Sequence, residues 1–186
     1  MWRSDESKVH WCRICMNRAT KKLIEDIPGH DEMDVLEISG DDWKYSGLFN
    51  SVDSLHYPDF DICKTSTVRT YNVIIAEQVL EHVKSPYKAL RNMYDSLKPG
   101  GYLLITTPFL IQIHDFPVDC TRWTPMGMKW FLEECGFSDV HTDGWGNRAC
   151  INDSFNTPWS YYKSWEHSLE NEPLFPVVVW SLGRKK

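Results

Sequence analysis

Apolar positions along the 186-residue chain alternate between helical and strand-like periods. From about Ser4 to Ile27, the residues Val9, Cys12, Met16, Ala19 and Leu23 recur at steps of three and four. That spacing predicts an amphipathic helix, stopped by Pro28 and Gly29. Residues 34–38 read as a short buried strand ending at Ser39 and Gly40. Between 45 and 63 the pattern thins, with a second strand expected near 49–53 and a weak third near 59–63. The β-branched run Tyr71–Ala76 suits a central strand. Ser85 and Pro86 predict an N-cap and a first-turn proline. Leu90, Met93, Tyr94 and Leu97 form the apolar stripe of the helix they open, and Lys98–Gly101 ends it. Residues 102–107 predict the next strand. Thr124 and Pro125 open a helix that turns Met128, Phe131, Leu132 and Cys135 inward and closes at Gly136. Val140 belongs to one more strand and residues 176–182 to a last.

Strands alternating with helices predict an α/β fold, a Rossmann-like doubly wound and mainly parallel sheet covered on both faces. Ligands of such sheets bind beyond the carboxyl ends of the strands, where strand order reverses. No internal repeat or linker interrupts the pattern. One domain over 1–186 is expected, with an N-terminal helix in 1–28 and loops at 108–125 and 144–175 on the substrate side.

Composition narrows the partners. The formal net charge of −6 and the lack of a long basic run argue against duplex nucleic acid, whose phosphates need clustered Lys and Arg. No apolar run approaches membrane-spanning length and the N-terminus is polar, so a cytoplasmic protein with reduced thiols and no membrane partner is expected. Cys12 and Cys15 have the spacing of half a zinc site, but no second such pair completes four ligands. Trp43, Trp123, Trp145, Trp159, Tyr161, Tyr162 and Trp165 fall outside the clearest elements. They either line a cleft or pack loops onto the core.

Four segments carry a family resemblance. Asp34-Val-Leu-Glu-Ile-Ser-Gly40 is a strand followed by a small-residue turn. Phe60-Asp-Ile-Cys63 sets an acid beside an apolar residue. Tyr71-Asn-Val-Ile-Ile-Ala-Glu-Gln-Val-Leu-Glu-His-Val83 leads to Leu97-Lys-Pro-Gly-Gly-Tyr-Leu-Leu-Ile-Thr-Thr-Pro108. His114–Gly127, with Asp115, Asp119 and Arg122, follows the fifth strand. Together they resemble the class I S-adenosylmethionine-dependent methyltransferases, in a small single-domain bacterial-type branch whose helix starts Leu-Glu-His. The third segment is the most specific, matching in order and spacing over about forty residues.

The resemblance implies S-adenosyl-L-methionine as cofactor. Glu37, Ile38, Ser39 and Gly40 would meet its amino-acid part, Asp53 its ribose, and Asp61 and Ile62 its adenine. Ala76, Glu77 and Gln78 would line the pocket at the end of the central strand. The chain departs from the family's alternating glycines, reading Ser39-Gly40-Asp41-Asp42-Trp43. Two carboxylates there would repel a pyrophosphate but not a sulfonium.

Methyl transfer to an oxygen or nitrogen needs alignment and often a base. His114 is the candidate base, or else a loop-organising residue. Arg122 either holds an anionic substrate or braces the loop through Asp115 or Asp119. No metal is expected. The alternative comes from a further resemblance, to small-RNA ribose methyltransferases of this fold that bind a divalent ion through Glu-x-x-Glu-His and a later histidine. Glu81, His82 and His114 match three of those positions, and Gln78 departs from the first. The expected activity is methyl transfer to a small metabolite, such as a sugar or natural-product intermediate, by a monomer or homodimer. The alternatives are a non-catalytic binding module and a nucleotide-dependent oxidoreductase.

Overall fold

The computed structural model describes Arg3 and residues 5–186. Six strands form one sheet in the order β2-β1-β3-β4-β6-β5. They are β1 (Asp34–Ile38), β2 (Ser51–Leu55), β3 (Tyr71–Glu77), β4 (Leu97–Pro108), β5 (Phe137–Trp145) and β6 (Val178–Lys185). The first four pair in parallel, and β6 runs antiparallel between β4 and β5. The helices are α1 (Ile14–Glu25), α2 (Pro86–Asp95), α3 (Pro125–Glu134) and α4 (Arg148–Asn156).

Side chains alternate across the strands and build a core on each face of the sheet. Leu36 and Ile38, Ile74 and Ala76, and Leu103 and Ile105 pack beneath Ala89, Leu90 and Met93 of α2 and Met128, Phe131 and Leu132 of α3. Val35, Val73, Ile75 and Leu104 point the other way, against Ile24 of α1 and Trp43. This is the doubly wound arrangement that the alternation predicts.

The N-terminal helix differs from its expected span. Its expected start at Ser4 lies outside the described residues, and α1 begins only at Ile14, after single turns at Glu6–Lys8 and Trp11–Arg13. Residues 9–11 are held out of the helix by the distant segment 160–162. Trp11 N–H donates to the Ser160 carbonyl and Tyr162 N–H to that of Val9, each at 2.8 Å. The Trp11 ring also stacks on His167, 4.1 Å between centroids.

The region of weak pattern holds β2, two residues later than expected, and no strand at 59–63, where the chain turns instead. Asp53 therefore lies in the middle of β2 rather than at its end. Strand β4 begins at Leu97, well before residue 102. A Cβ on Gly101 would lie 2.8 Å from the Asn72 carbonyl oxygen, so glycine lets the two strands meet there. Ser85 occupies the α2 N-cap without a side-chain bond, whereas Thr124 Oγ1 accepts the Gly127 N–H at the start of α3, 3.0 Å away. The stretch 144–175, read as loop, contains α4. Its N-cap Asn147 accepts the Cys150 N–H at 2.8 Å.

Candidate active site

The chain passes from β1 to β2 on one side and from β2 to β3 across the other, so strand order reverses between β1 and β3. Both strands end there in a left-handed residue, Ser39 (φ 57°) and Gln78 (φ 55°). Such conformations are costly outside glycine and cluster where chain must be aimed. Ser39 N–H donates to the Leu55 carbonyl at 2.8 Å, and Gln78 N–H to that of Thr106 at 2.9 Å. The two bends frame a cavity of about 600 Å³, within the range of roughly 300–1,000 Å³ usual for small-molecule sites.

Five groups of residues make its wall. Ile38 and Ser39 come from the β1 end, His56 and Tyr57 from the β2 end, and Phe60 to Cys63 from the turn that follows. Gln78, Val79 and His82 to Ser85 come from the segment after β3, and Pro117 and Val118 from the loop after β4. Of the residues expected at a cofactor, Ile38, Ser39, Asp61, Ile62 and Gln78 lie on this wall. Glu37, Gly40, Asp53, Ala76 and Glu77 do not.

Those five have other placements. The Glu37 carboxylate, nearly fully buried, accepts the N–H groups of Asp42 and Trp43 at 3.1 and 3.0 Å and so holds the loop after β1 in shape. Burial pushes its pKa up to about 7, against those two bonds. Gly40 fits against it, because a Cβ there would lie 2.5 Å from Glu37 Oε1. Asp53 pairs with Arg69 at 2.8 Å and accepts from the Tyr71 hydroxyl at 2.9 Å. Ala76 is fully buried in the core. Glu77 turns to the opposite side, where it accepts from Trp43 Nε1 (2.9 Å) and pairs with Arg3 (2.5 Å).

His56 and Tyr57 were missed by pattern reasoning because β2 was placed too early. As the first residues past β2 they occupy the strand-end position sought for Asp53. His56 Nε2 also lies 3.2 Å from Asp41, tying the loops after β1 and β2 together.

Beside the cavity, the turn Leu80–His82 and the loop after β4 are pinned to each other. Cys120 N–H donates to the Glu81 carbonyl (2.6 Å), Thr121 Oγ1 to that of Leu80 (3.0 Å), and His82 Nδ1 to that of Val118 (2.5 Å). Asp119 accepts the His114 N–H at 2.9 Å and is clasped by both terminal nitrogens of Arg122. Against the cost of burial, these bonds keep Asp119 below the usual carboxylate range. Arg122 thus braces the loop. His114 stands behind His82, edge to face at 4.9 Å between ring centroids, and also edge-on to Trp159 at 5.4 Å. Burial and then the His82 neighbour hold its imidazole below the usual value. Of the seven unplaced aromatic residues, Trp43 and Trp145 are buried, Trp123 stacks on Phe131 at 4.4 Å and Tyr162 packs against the cluster around Trp11, whereas Tyr161 and Trp165 are exposed.

The methyltransferase-domain family model matches residues 13–142, most of the chain and every wall segment of the cavity. The chain belongs to this family. S-adenosylmethionine is the family's methyl donor. No curated protein sequence matches the chain. The N-methyltransferase NodS from Bradyrhizobium japonicum, in complex with S-adenosyl-L-homocysteine, is similar at 15% identity and TM-score 0.58, over 99% of this chain and 91% of that one. A SAM-dependent methyltransferase from Archaeoglobus fulgidus has 15% identity and TM-score 0.53, over 93% and 94% of the two chains. Phosphoethanolamine N-methyltransferase 2 from Haemonchus contortus, in complex with S-adenosyl-L-methionine, has 12% identity and TM-score 0.59, over 91% of this chain. The present chain spans about half the length of that enzyme, 52%. At these identities the likeness establishes the fold: class I methyltransferase, with one antiparallel strand. Among the described residues, no helix is long and apolar enough to cross a membrane.

Proposed function

We propose that residues 1–186 act as one domain that transfers the methyl group of S-adenosylmethionine to an oxygen or nitrogen of a small metabolite. The observation that carries this is the cavity at the β1/β3 switch point, whose wall suits a phosphate-free cation. It offers Asp61, the Gln78 amide and backbone, and it contains one lysine, Lys84, and no arginine. A pyrophosphate favours a glycine-rich turn opening a helix, whereas the chain after β1 reads Ser39-Gly40-Asp41-Asp42, whose two carboxylates would repel it. The nucleotide-dependent oxidoreductase reading has no support in the family either.

In this reading Asp61 accepts from the adenine amino group and Ile62 packs on the ring. His56 and Tyr57 face the ribose, and Ser39 and Gln78 bring backbone to the amino-acid part. Glu37 acts through the loop it holds. The cofactor supplies an activated methyl group; the chain supplies alignment and a dry wall. His114, whose imidazole burial holds below its usual value, stands beside His82 and can take the acceptor's proton.

Calorimetry with S-adenosylmethionine and with NAD tests the reading. Saturable binding of the first and none of the second is expected. Failure to bind at millimolar S-adenosylmethionine would sink the proposal.

A further inference from the structure

Glu81 is the most unusual group in the described chain. Its side chain has no exposure to solvent, yet neither carboxylate oxygen has a hydrogen-bond partner. A buried carboxylate left alone is strongly unfavourable, and such orphans call for an ion or a proton. Arg13 and Arg122 reach it only through longer-range attraction, and Arg122 is already committed to Asp119.

Two imidazoles face the same point. His82 Nδ1 donates to the Val118 carbonyl, so its Nε2 carries the lone pair, 3.8 Å from Glu81 Oε1. A backbone carbonyl fixing the far nitrogen is the support that metal-ligating histidines generally have. His114 Nε2 is buried and without a partner. One donor atom from each of the three residues lies within 4.8 Å of the other two. Donors of a tetrahedral shell with bonds of ~2.1 Å are ~3.4 Å apart, so small side-chain rotations close the set.

We propose that Glu81, His82 and His114 bind one divalent transition-metal ion beside the cavity wall, which His82 lines. One carboxylate and two imidazoles suit borderline ions such as Zn²⁺ and Co²⁺, and admit the harder Mn²⁺, in preference to Ca²⁺ or Mg²⁺, which take all-oxygen shells. The neutral Gln78 does not count against it, since its amide nitrogen is bonded to Thr106 Oγ1 at 3.0 Å. The site itself stands independently of cofactor binding. Its part in catalysis rests on the methyl-transfer reading: the ion would acidify the acceptor, in place of direct proton uptake by His114.

Cobalt reports the ligand set directly. Protein stripped by a chelator is titrated with Co²⁺ alone, without cofactor, and visible d–d bands saturating at one ion per chain are expected. Glu81→Gln and His114→Ala, each shown folded by circular dichroism, should weaken binding about tenfold or more. The proposal is overturned if Co²⁺, Zn²⁺ and Mn²⁺ all fail to bind, or if both folded variants bind as the parent does. A thiolate-to-cobalt charge-transfer band lost in Cys12→Ser or Cys15→Ser would equally overturn it. Calorimetry of the stripped protein with S-adenosylmethionine separates failure of this site from failure of the methyltransferase reading.

Discussion

Two aspartates were expected at the cofactor, and their surroundings now separate them. Asp61 lies on the cavity wall and Asp53 is committed to Arg69 and Tyr71. Asp61→Ala should weaken S-adenosylmethionine binding about tenfold, the order of one hydrogen bond to a charged acceptor. Asp53→Ala should leave affinity unchanged in the same calorimetric titration; a comparable loss would mean the wall is wrongly drawn. Glu37 acts differently, by holding loop N–H groups. Its pKa is raised from the usual value near 4.3 to about 7. A carboxylate raised in this way favours the folded state below its unfolded pKa, and that contribution is lost as pH climbs toward 7. Its ionised form is the one that binds the loop most strongly. Cofactor affinity should therefore fall as pH drops below about 7, and Glu37→Gln should bind more weakly with a flat pH profile. An unchanged profile in that variant would refute the role. At this scale the place of Asp61 near the cavity was legible, because an acid followed by an apolar residue matches a family segment. Glu37's inward turn was not, since a strand-end acid looks the same whichever way it points.

Helix caps show the same division among elements. Thr124 caps α3 as the Thr-Pro pair predicts, and Thr124→Ala should cost about 1 kcal/mol. For a chain of this size that is a drop of roughly 2–4 °C in Tm. Asn147 does more: besides capping α4 it donates to the Ser168 and Glu170 carbonyls at 3.3 and 2.9 Å while almost fully buried. Asn147→Ala should thus be distinctly more destabilising than Thr124→Ala in parallel thermal melts. Equal losses would mean that α4 is only locally capped. Strongly periodic segments, α2, α3, β1 and β3, were legible because their burial follows directly from their spacing. Helix α4 was not, because its short amphipathic face sits among loop aromatics. The expected strand at 59–63 failed for a related reason: its apolar residues face the cavity from a turn instead of pairing with a neighbour.

For the molecule as a whole, a ligand that binds only the folded state raises stability by mass action, about 2.7 kcal/mol at a hundred times Kd. S-adenosylmethionine should accordingly raise Tm in the parent and much less in Asp61→Ala, by differential scanning fluorimetry. An equal shift in both would place the ligand elsewhere. The whole also decides the N-terminus. Pairing of residues 9–11 with 160–162 joins segments some 150 positions apart, and it overrides a clear helical period. The sequence by itself determined the α/β class, the order of the strong strands and helices, and the family, because alternating periods and the 71–108 segment need no partner to be read. Only the tertiary structure decided which acids face the cavity, where α1 begins, and that the Glu81 carboxylate and His114 Nε2 are buried without partners. Those outcomes depend on which distant backbone groups meet each residue, and spacing along the chain does not encode that.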